Sequence, residues 1–225
     1  MFYETAKNDH GLPVAPFKSC AVPRAIAWLS TLSADGVANL APFSQFTNLT
    51  FDPPYVLVAI NQDTKNRRKD TTVNIETTGE FVYNMVTWDL REAMNITAVA
   101  FPSDVDEFER AGLTKAPSVL VKPWRVAESP VQMECRYVQT IRLPGEGMVG
   151  TVDVIIGKVV GIHISDDALT ADGKIDIEKI RPLARLGYSD YTVVERAITM
   201  LPSDIEESPD AIQGLSGNTG YFTKK

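Results

Sequence analysis

The sequence predicts a mainly β protein with a few short helices, folded as a barrel rather than as a doubly wound sheet. Three observations carry this. Strand-like segments outnumber helix-like ones and do not alternate with them in βαβ order. The two longest strand candidates, residues 131–143 and 148–164, follow one another across Pro144-Gly-Glu-Gly147. The second of them carries Gly157 and Gly161 inside an apolar pattern. Glycines within a strand mark a bulge, a bend or a close backbone approach, all of which small barrels need.

In chain order, residues 1–22 read as an irregular arm. Ala25 to Leu32 alternates as a strand, Ser33-Ala-Asp-Gly36 suits a hairpin turn, and a strand is expected again from Val37 through Leu49. After Pro53-Pro54, the continuous apolar run Tyr55 to Ile60 predicts a buried strand. Residues 70–78 read as a helix with Asp70 as N-cap and Gly79 as its stop. Glu80 to Val86 alternates as a strand. Asp89 to Thr97 and Asp104 to Ala111 predict two further short helices, the second ended by Gly112. The last 23 residues, from Ser203, are polar and predict a tail, or an arm lying on a partner subunit. Without an internal repeat or a linker, residues 1–225 are expected to form a single domain with an N-terminal arm (1–22) and a C-terminal tail (203–225).

Hydrophobic residues make up 44% of the 225, and charged residues 23%, as in a soluble globular chain. A net charge of −7 disfavours nucleic acid and anionic membrane as general partners but not a phosphate ligand, which needs only a few local donors. Cys20 and Cys135 stand far apart, and His10 and His163 are the two histidines, so neither a zinc site nor a Cys–His pair is expected. The N-terminus has acidic residues and no signal-like apolar core, and a cytoplasmic location is expected. GxGxxG and GxxxxGK[ST] patterns are absent, which removes support for Rossmann and P-loop nucleotide binding.

Three segments carry the chemistry. In Asn39-Leu-Ala-Pro-Phe-Ser44, small residues bare the backbone, and a flat heteroaromatic ring with amide edges can lie against such a strand. By itself the pattern also suits a bent strand whose small residues merely permit close packing. Lys65-Asn-Arg-Arg-Lys-Asp-Thr71 places cations before a helix N-terminus, a combination that suits a phosphate, although a solvated loop is the commoner fate of such a run. Arg185, in Arg181-Pro-Leu-Ala-Arg-Leu-Gly187, suits either a cofactor contact or a surface ion pair.

Taken together, residues 22–46 (VPRAIAWLSTLSADGVANLAPFSQF), 52–60 (DPPYVLVAI) and 69–86 (KDTTVNIETTGEFVYNMV) closely resemble the flavin reductase and flavoredoxin group of split-barrel proteins. The later pieces 106–113, 126–136, 156–164 and 181–188 follow in the family's order. The resemblance implies an FMN-binding split β-barrel and a homodimer with FMN near its interface. It further implies NAD(P)H-dependent flavin reduction, or electron transfer by bound FMN to an acceptor protein. A barrel that binds another small ligand without redox turnover is the alternative outside that class. Carried over by position, Ser30 and Thr31 would lie along the flavin, and Asn39, Ala41, Pro42, Phe43 and Ser44 would line its ring and ribityl chain. Lys69 and Thr71 would meet the phosphate, Arg24 would stand near the pocket entrance, and Arg185 would face the cofactor or the nicotinamide donor. Three departures stand out: Ala25 for a proline, Arg68 and Thr72 beside the Lys-Asp-Thr triplet, and Tyr188 for a second glycine. No catalytic acid, base or nucleophile is expected, because hydride passes between the two rings.

Overall fold

The hairpin expected around residues 33–36 forms and sets the first pairing of the sheet. In the computed structural model, which describes residues 1–63, 65, 67–147 and 150–199, β1 (Arg24–Ala25) leads into β2 (Ala27–Leu32). The Ser33 N–H donates to the Val37 carbonyl at 2.9 Å and the Gly36 N–H to Ser33 at 3.0 Å. Gly36 has φ +85°, which a side chain would resist. β3 (Ala38–Phe43) then returns antiparallel, with Ala41 opposite Leu29.

The single strand expected from Val37 through Leu49 is broken. After Ser44 and Gln45 the chain starts β4 (Phe46–Phe51), which pairs with β5 (Pro54–Asn61) and not with β2. There follow α1 (Asp70–Thr78), β6 (Glu80–Met85), α2 (Arg91–Ile96) and α3 (Glu107–Ala111). A short ribbon of β7 (Lys115–Ala116) and β8 (Arg125–Val126) precedes the long pair β9 (Val131–Leu143) and β10 (Val152–Ile164). The described chain ends with α4 (Ile177–Ile180), β11 (Leu183–Gly187) and β12 (Asp190–Val193).

Seven strands form one antiparallel sheet in the order β3-β2-β6-β9-β10-β5-β4. β3 and β4 are therefore its two edges, yet two residues join them. The sheet must roll up so that one end of each edge approaches the other, and the Ala59 N–H on β5 donates to the Gln45 carbonyl at 2.9 Å, which extends the β4–β5 pairing into the link. The result is a barrel that does not close with a continuous ladder. The β9–β10 register shifts at Ile156/Gly157 and again at Val159/Gly161, so both glycines sit at irregularities that bend the wall. A second sheet, β1-β11-β12, stands apart.

β2 buries both faces. Ala27 and Leu29 point into the barrel with Val58, Ile60, Ile75, Phe81, Ile155 and other apolar side chains. Ile26 and Trp28 belong to a second core with Leu40, Leu90, Met94, Phe108 and Leu183. Helices α2 and α3 thus cover the outer face of β2 and β3. Asp70 is the first helical residue and not the cap. Lys69 holds the N-cap position and gives no side-chain hydrogen bond there, while Gly79, at φ +75°, ends the helix as expected. Residues Met1–Glu195 form one unit, and a second begins at Arg196, of which residues 196–199 are described and have no regular structure. The tail expected from Ser203 lies outside the described residues. Among the described residues no helix is long and apolar enough to cross a membrane.

Candidate functional site

Where β3 leaves the sheet, it opens onto a cleft of about 720 Å³. Asn39, Ala41, Pro42, Phe43 and Ser44 all line it. Pro42 has the same parity as Leu40, whose N–H points off the edge of β3 to the Glu107 carboxylate at 3.0 Å. The N–H that proline lacks would thus have faced outward, and no ladder bond is lost. Ala59 and Asn61 of β5 contribute further lining.

One end of the cleft is built by Gln62, Asp63 and the run from Arg67 to Thr71. Here the basic run sorts itself. Asp63 accepts from the backbone N–H groups of Lys65 and Arg67, each at 2.8 Å, and from Arg67 Nε at 2.8 Å. The Arg67 backbone N–H, helped by the guanidinium and the Lys65 N–H, holds the Asp63 carboxyl below its usual range. Arg68 pairs with Glu76 at 2.7 Å and with Asp153 at 3.0 Å. Lys69, half-buried in the lining, has no ion pair or side-chain hydrogen bond among the described residues. Lys65 is also without an ion pair among the described residues but does not line the cleft, so Lys69 is the unpaired cation that does.

Lys69 also opens α1. The first N–H groups of a helix lack intrahelical partners, and here no side chain caps them. Asp70 and Thr71 line the cleft at that end. Thr71 is buried and its hydroxyl accepts from Asn39 Nδ2 at 3.1 Å, which ties the β3 wall to the helix start. Its own hydroxyl proton stays available for donation.

Sequence reasoning missed the rest of the lining. Residues 97–103 (Thr-Ala-Val-Ala-Phe-Pro-Ser) follow α2 and carry no chemical signature. Trp28 Nε1 donates to Thr97 Oγ1 at 2.8 Å and anchors this segment to the buried sheet. Glu107 is 7% exposed and lines the cleft as well. An acidic residue in the first turn of a short helix reads as a dipole contact in solvent, so nothing in the pattern marked it as buried. Burial pushes its carboxyl up from the usual range, the Leu40 N–H opposes this, and Asp106 and Asp70 reinforce it. The folded chain thus binds this proton more tightly than the unfolded chain. That contribution is full below the unfolded value and is lost as pH rises through the folded value. Glu107→Gln, which still offers Leu40 an acceptor, is expected to gain melting temperature relative to the parent as pH is raised through and above the ordinary glutamate range. A Tm difference that stays constant across that range would contradict this.

Four residues expected at the site lie outside the cleft lining. Ser30 is fully buried, donates to the Trp124 carbonyl and accepts from Asn84 Nδ2 at 3.2 Å. Thr31 accepts from Asn74 Nδ2 at 3.1 Å. Both hydroxyls are committed because β2 is an interior strand covered on both faces. Arg24 and Arg185 stand directly opposite each other on β1 and β11. Arg24 donates to the carbonyls of Lys18 and Ala21; Arg185 donates to the Tyr188 carbonyl and stacks over Tyr191 at 4.3 Å. Neither has a carboxylate partner among the described residues.

The profile of the flavin reductase like domain matches residues 19–190. An uncharacterized protein of Aquifex aeolicus is 39% identical over 170 residues, 76% of this chain and 84% of that protein. Among solved structures, nitrilotriacetate monooxygenase component B from Bacillus cereus matches with a TM-score of 0.77 at 29% identity, over 88% of this chain and 95% of that one. A Shewanella frigidimarina protein assigned as a flavin reductase with a split barrel domain matches with a TM-score of 0.72 at 24% identity, over 89% of this chain and 93% of that one. The rolled, unclosed seven-stranded sheet is that split barrel. On the extent of the profile match and the identity to the Aquifex protein, the chain belongs to the flavin reductase like domain family.

Proposed function

We propose that the cleft binds FMN and that the protein is an oxidoreductase reducing flavin at the expense of NAD(P)H. One observation carries this reading: the small-residue wall of β3 and an uncapped helix N-terminus with an unpaired Lys69 face the same cleft. Ala41, Pro42 and Ser44 leave room for a flat ring. Lys69 and the N–H groups at the start of α1 suit a phosphate, and the Asn39–Thr71 hydrogen bond fixes the spacing between the two ends. The segment 97–103 helps to exclude water. Bound FMN supplies hydride acceptance from a nicotinamide, so the side chains need only hold and orient the two rings.

The protein as purified, or after incubation with FMN, is expected to show flavin absorbance. FMN is expected to bind on the order of tenfold or more tightly than riboflavin, since charge-assisted contacts to phosphate add to the ring's own affinity. Anaerobic mixing with NADH or NADPH is expected to bleach the flavin band. Equal affinities for the two flavins would refute the phosphate assignment. A flavin that neither nicotinamide bleaches would leave an electron carrier of the flavoredoxin type.

The working unit is proposed to be a homodimer. Val138, Ile141 and Leu143 stand 46–48% exposed on β9, and Leu49 is 46% exposed on β4, more apolar surface than an isolated barrel needs. Arg24 and Arg185 would then serve a cleft to which a partner subunit brings them. Light scattering at micromolar concentration is expected to give twice the chain mass; a monomer alone would oppose the dimer.

A further inference from the structure

Asp153 occupies an inward position on β10 with 1% of its surface exposed. A lone carboxylate there would be strongly unfavourable. Two guanidinium groups hold it instead. Arg68 Nε donates to Oδ2 at 3.0 Å, and Arg142 Nε donates to Oδ1 at 3.0 Å. Arg68 Nη2 also meets Glu76 Oε1 at 2.7 Å, and Arg142 Nη2 stands 3.5 Å from the same oxygen. Two cations and two anions thus close a ring that joins the residue before Lys69, helix α1, β9 and β10. The ion pair with Glu76, and then the hydrogen-bonded pair with Asp153, raises the Arg68 guanidinium above its ordinary value against the cost of burial, and Arg68 in turn lowers the Glu76 carboxyl.

The ring is charge-balanced, so it offers a ligand nothing directly. Its effect falls on its neighbours. Arg68 is bonded to the sheet on one side and to α1 on the other, and Lys69 follows it in the chain. At the outer end of the same segment, Asp63 gathers the N–H groups of Lys65 and Arg67. The backbone is therefore gripped ahead of the free ammonium, at Asp63 and Arg68, and beyond it at Glu76 of α1. A solvated loop would need no such grip.

We propose that Asp153 is a positioning residue for the anion end of the cleft: through Arg68 and Glu76 it sets Lys69 and the N-terminus of α1 where they take a phosphate, without touching the ligand. This rests on the FMN reading above.

The test is the ratio of riboflavin to FMN dissociation constants, measured by flavin fluorescence titration on the full chain. Asp153→Asn is expected to weaken FMN about tenfold and to leave riboflavin within about twofold. Glu76→Gln, nearer the surface, is expected to shift the ratio the same way by a smaller factor. It decides the matter if Asp153→Asn does not fold. Once Lys69 is replaced by alanine, adding Asp153→Asn is expected to cost little further FMN affinity, because the group it positions is gone. An unchanged ratio, an equal loss for both flavins, or fully additive losses in the double variant would each overturn the proposal and make the ring a support for the fold alone. A parent protein that does not distinguish FMN from riboflavin would instead overturn the phosphate reading, and this proposal with it.

Discussion

Ala41→Trp is expected to lower FMN affinity on the order of 100-fold or more while leaving the protein folded. Ala41 lies on the edge strand β3, opposite Leu29, and its side chain lines the cleft. It belongs to neither hydrophobic core. A tryptophan there carries about 150–250 Å² of ring surface into the space proposed for the flavin. The indole and the isoalloxazine cannot share that wall. Because no core contact is disturbed, the melting temperature of the flavin-free protein is expected to stay close to that of the parent. Ser44→Ala provides the contrast. It removes a single neutral donor, worth about 1 kcal/mol, a few-fold to tenfold change in affinity. Unchanged FMN titration and unchanged nicotinamide oxidation in Ala41→Trp would place the ring elsewhere and remove β3 from the site.

The second large effect is on stability. A Cβ at Gly157 would stand 2.3 Å from Phe81 Cζ and 2.6 Å from Cε1. Phe81 is fully buried in the barrel core, so its ring has no solvent to swing into. Gly157→Ala is therefore expected to cost about 1–3 kcal/mol of overpacking, despite the better strand propensity of alanine. For a chain of this size that is a fall of several degrees, roughly 2–4 °C for each kcal/mol. Gly161 sits at the other irregularity of the same strand, yet its nearest neighbours lie at 3.4–3.7 Å, an ordinary contact distance. Gly161→Ala is expected to melt close to the parent. Shortening the obstruction with Phe81→Leu is expected to recover part of the Gly157→Ala loss. Equal melting temperatures for the two alanine variants would show that the bend, and not the ring, dictates glycine at position 157.

The hairpin of β2 and β3, strand β5, helix α1 and the long pair β9 and β10 were legible because each carries a strong local signal: a turn residue, a stop glycine or an uninterrupted period. The break at Ser44-Gln45 was not. Its cause is a pairing choice between β2 and β5, made by residues far apart in sequence, and the alternation runs on across it. The two-residue strands β7 and β8 are too short to have a period, β11 (Leu183–Gly187) does not alternate, and β12 opens on exposed Asp190 and Tyr191. At the site, the residues of β3 and the start of α1 were named in advance and meet at one cleft. Ser30 and Thr31 are expected at the site by position in the family resemblance alone. In the fold those hydroxyls serve the interior, because polar atoms on a doubly covered strand must find partners there. Asp153 and Glu107 were invisible for the opposite reason. A single acidic residue in a strand or helix pattern says nothing until the partners that bury it are known.

The rolled sheet has one more consequence. An open sheet of seven strands ends in two rows of unpaired backbone N–H and C=O groups, a template on which other chains can add strands and aggregate. Here Ser44 and Gln45 link the two edge strands, and the Glu107 carboxylate satisfies the Leu40 N–H of β3. The β3 edge, which would otherwise recruit a foreign strand, thereby lies along the cleft. Its remaining donors and acceptors would suit the amide edge of a small planar guest. On the proposed reading, the stretch of backbone that guards the edge would also receive the ligand.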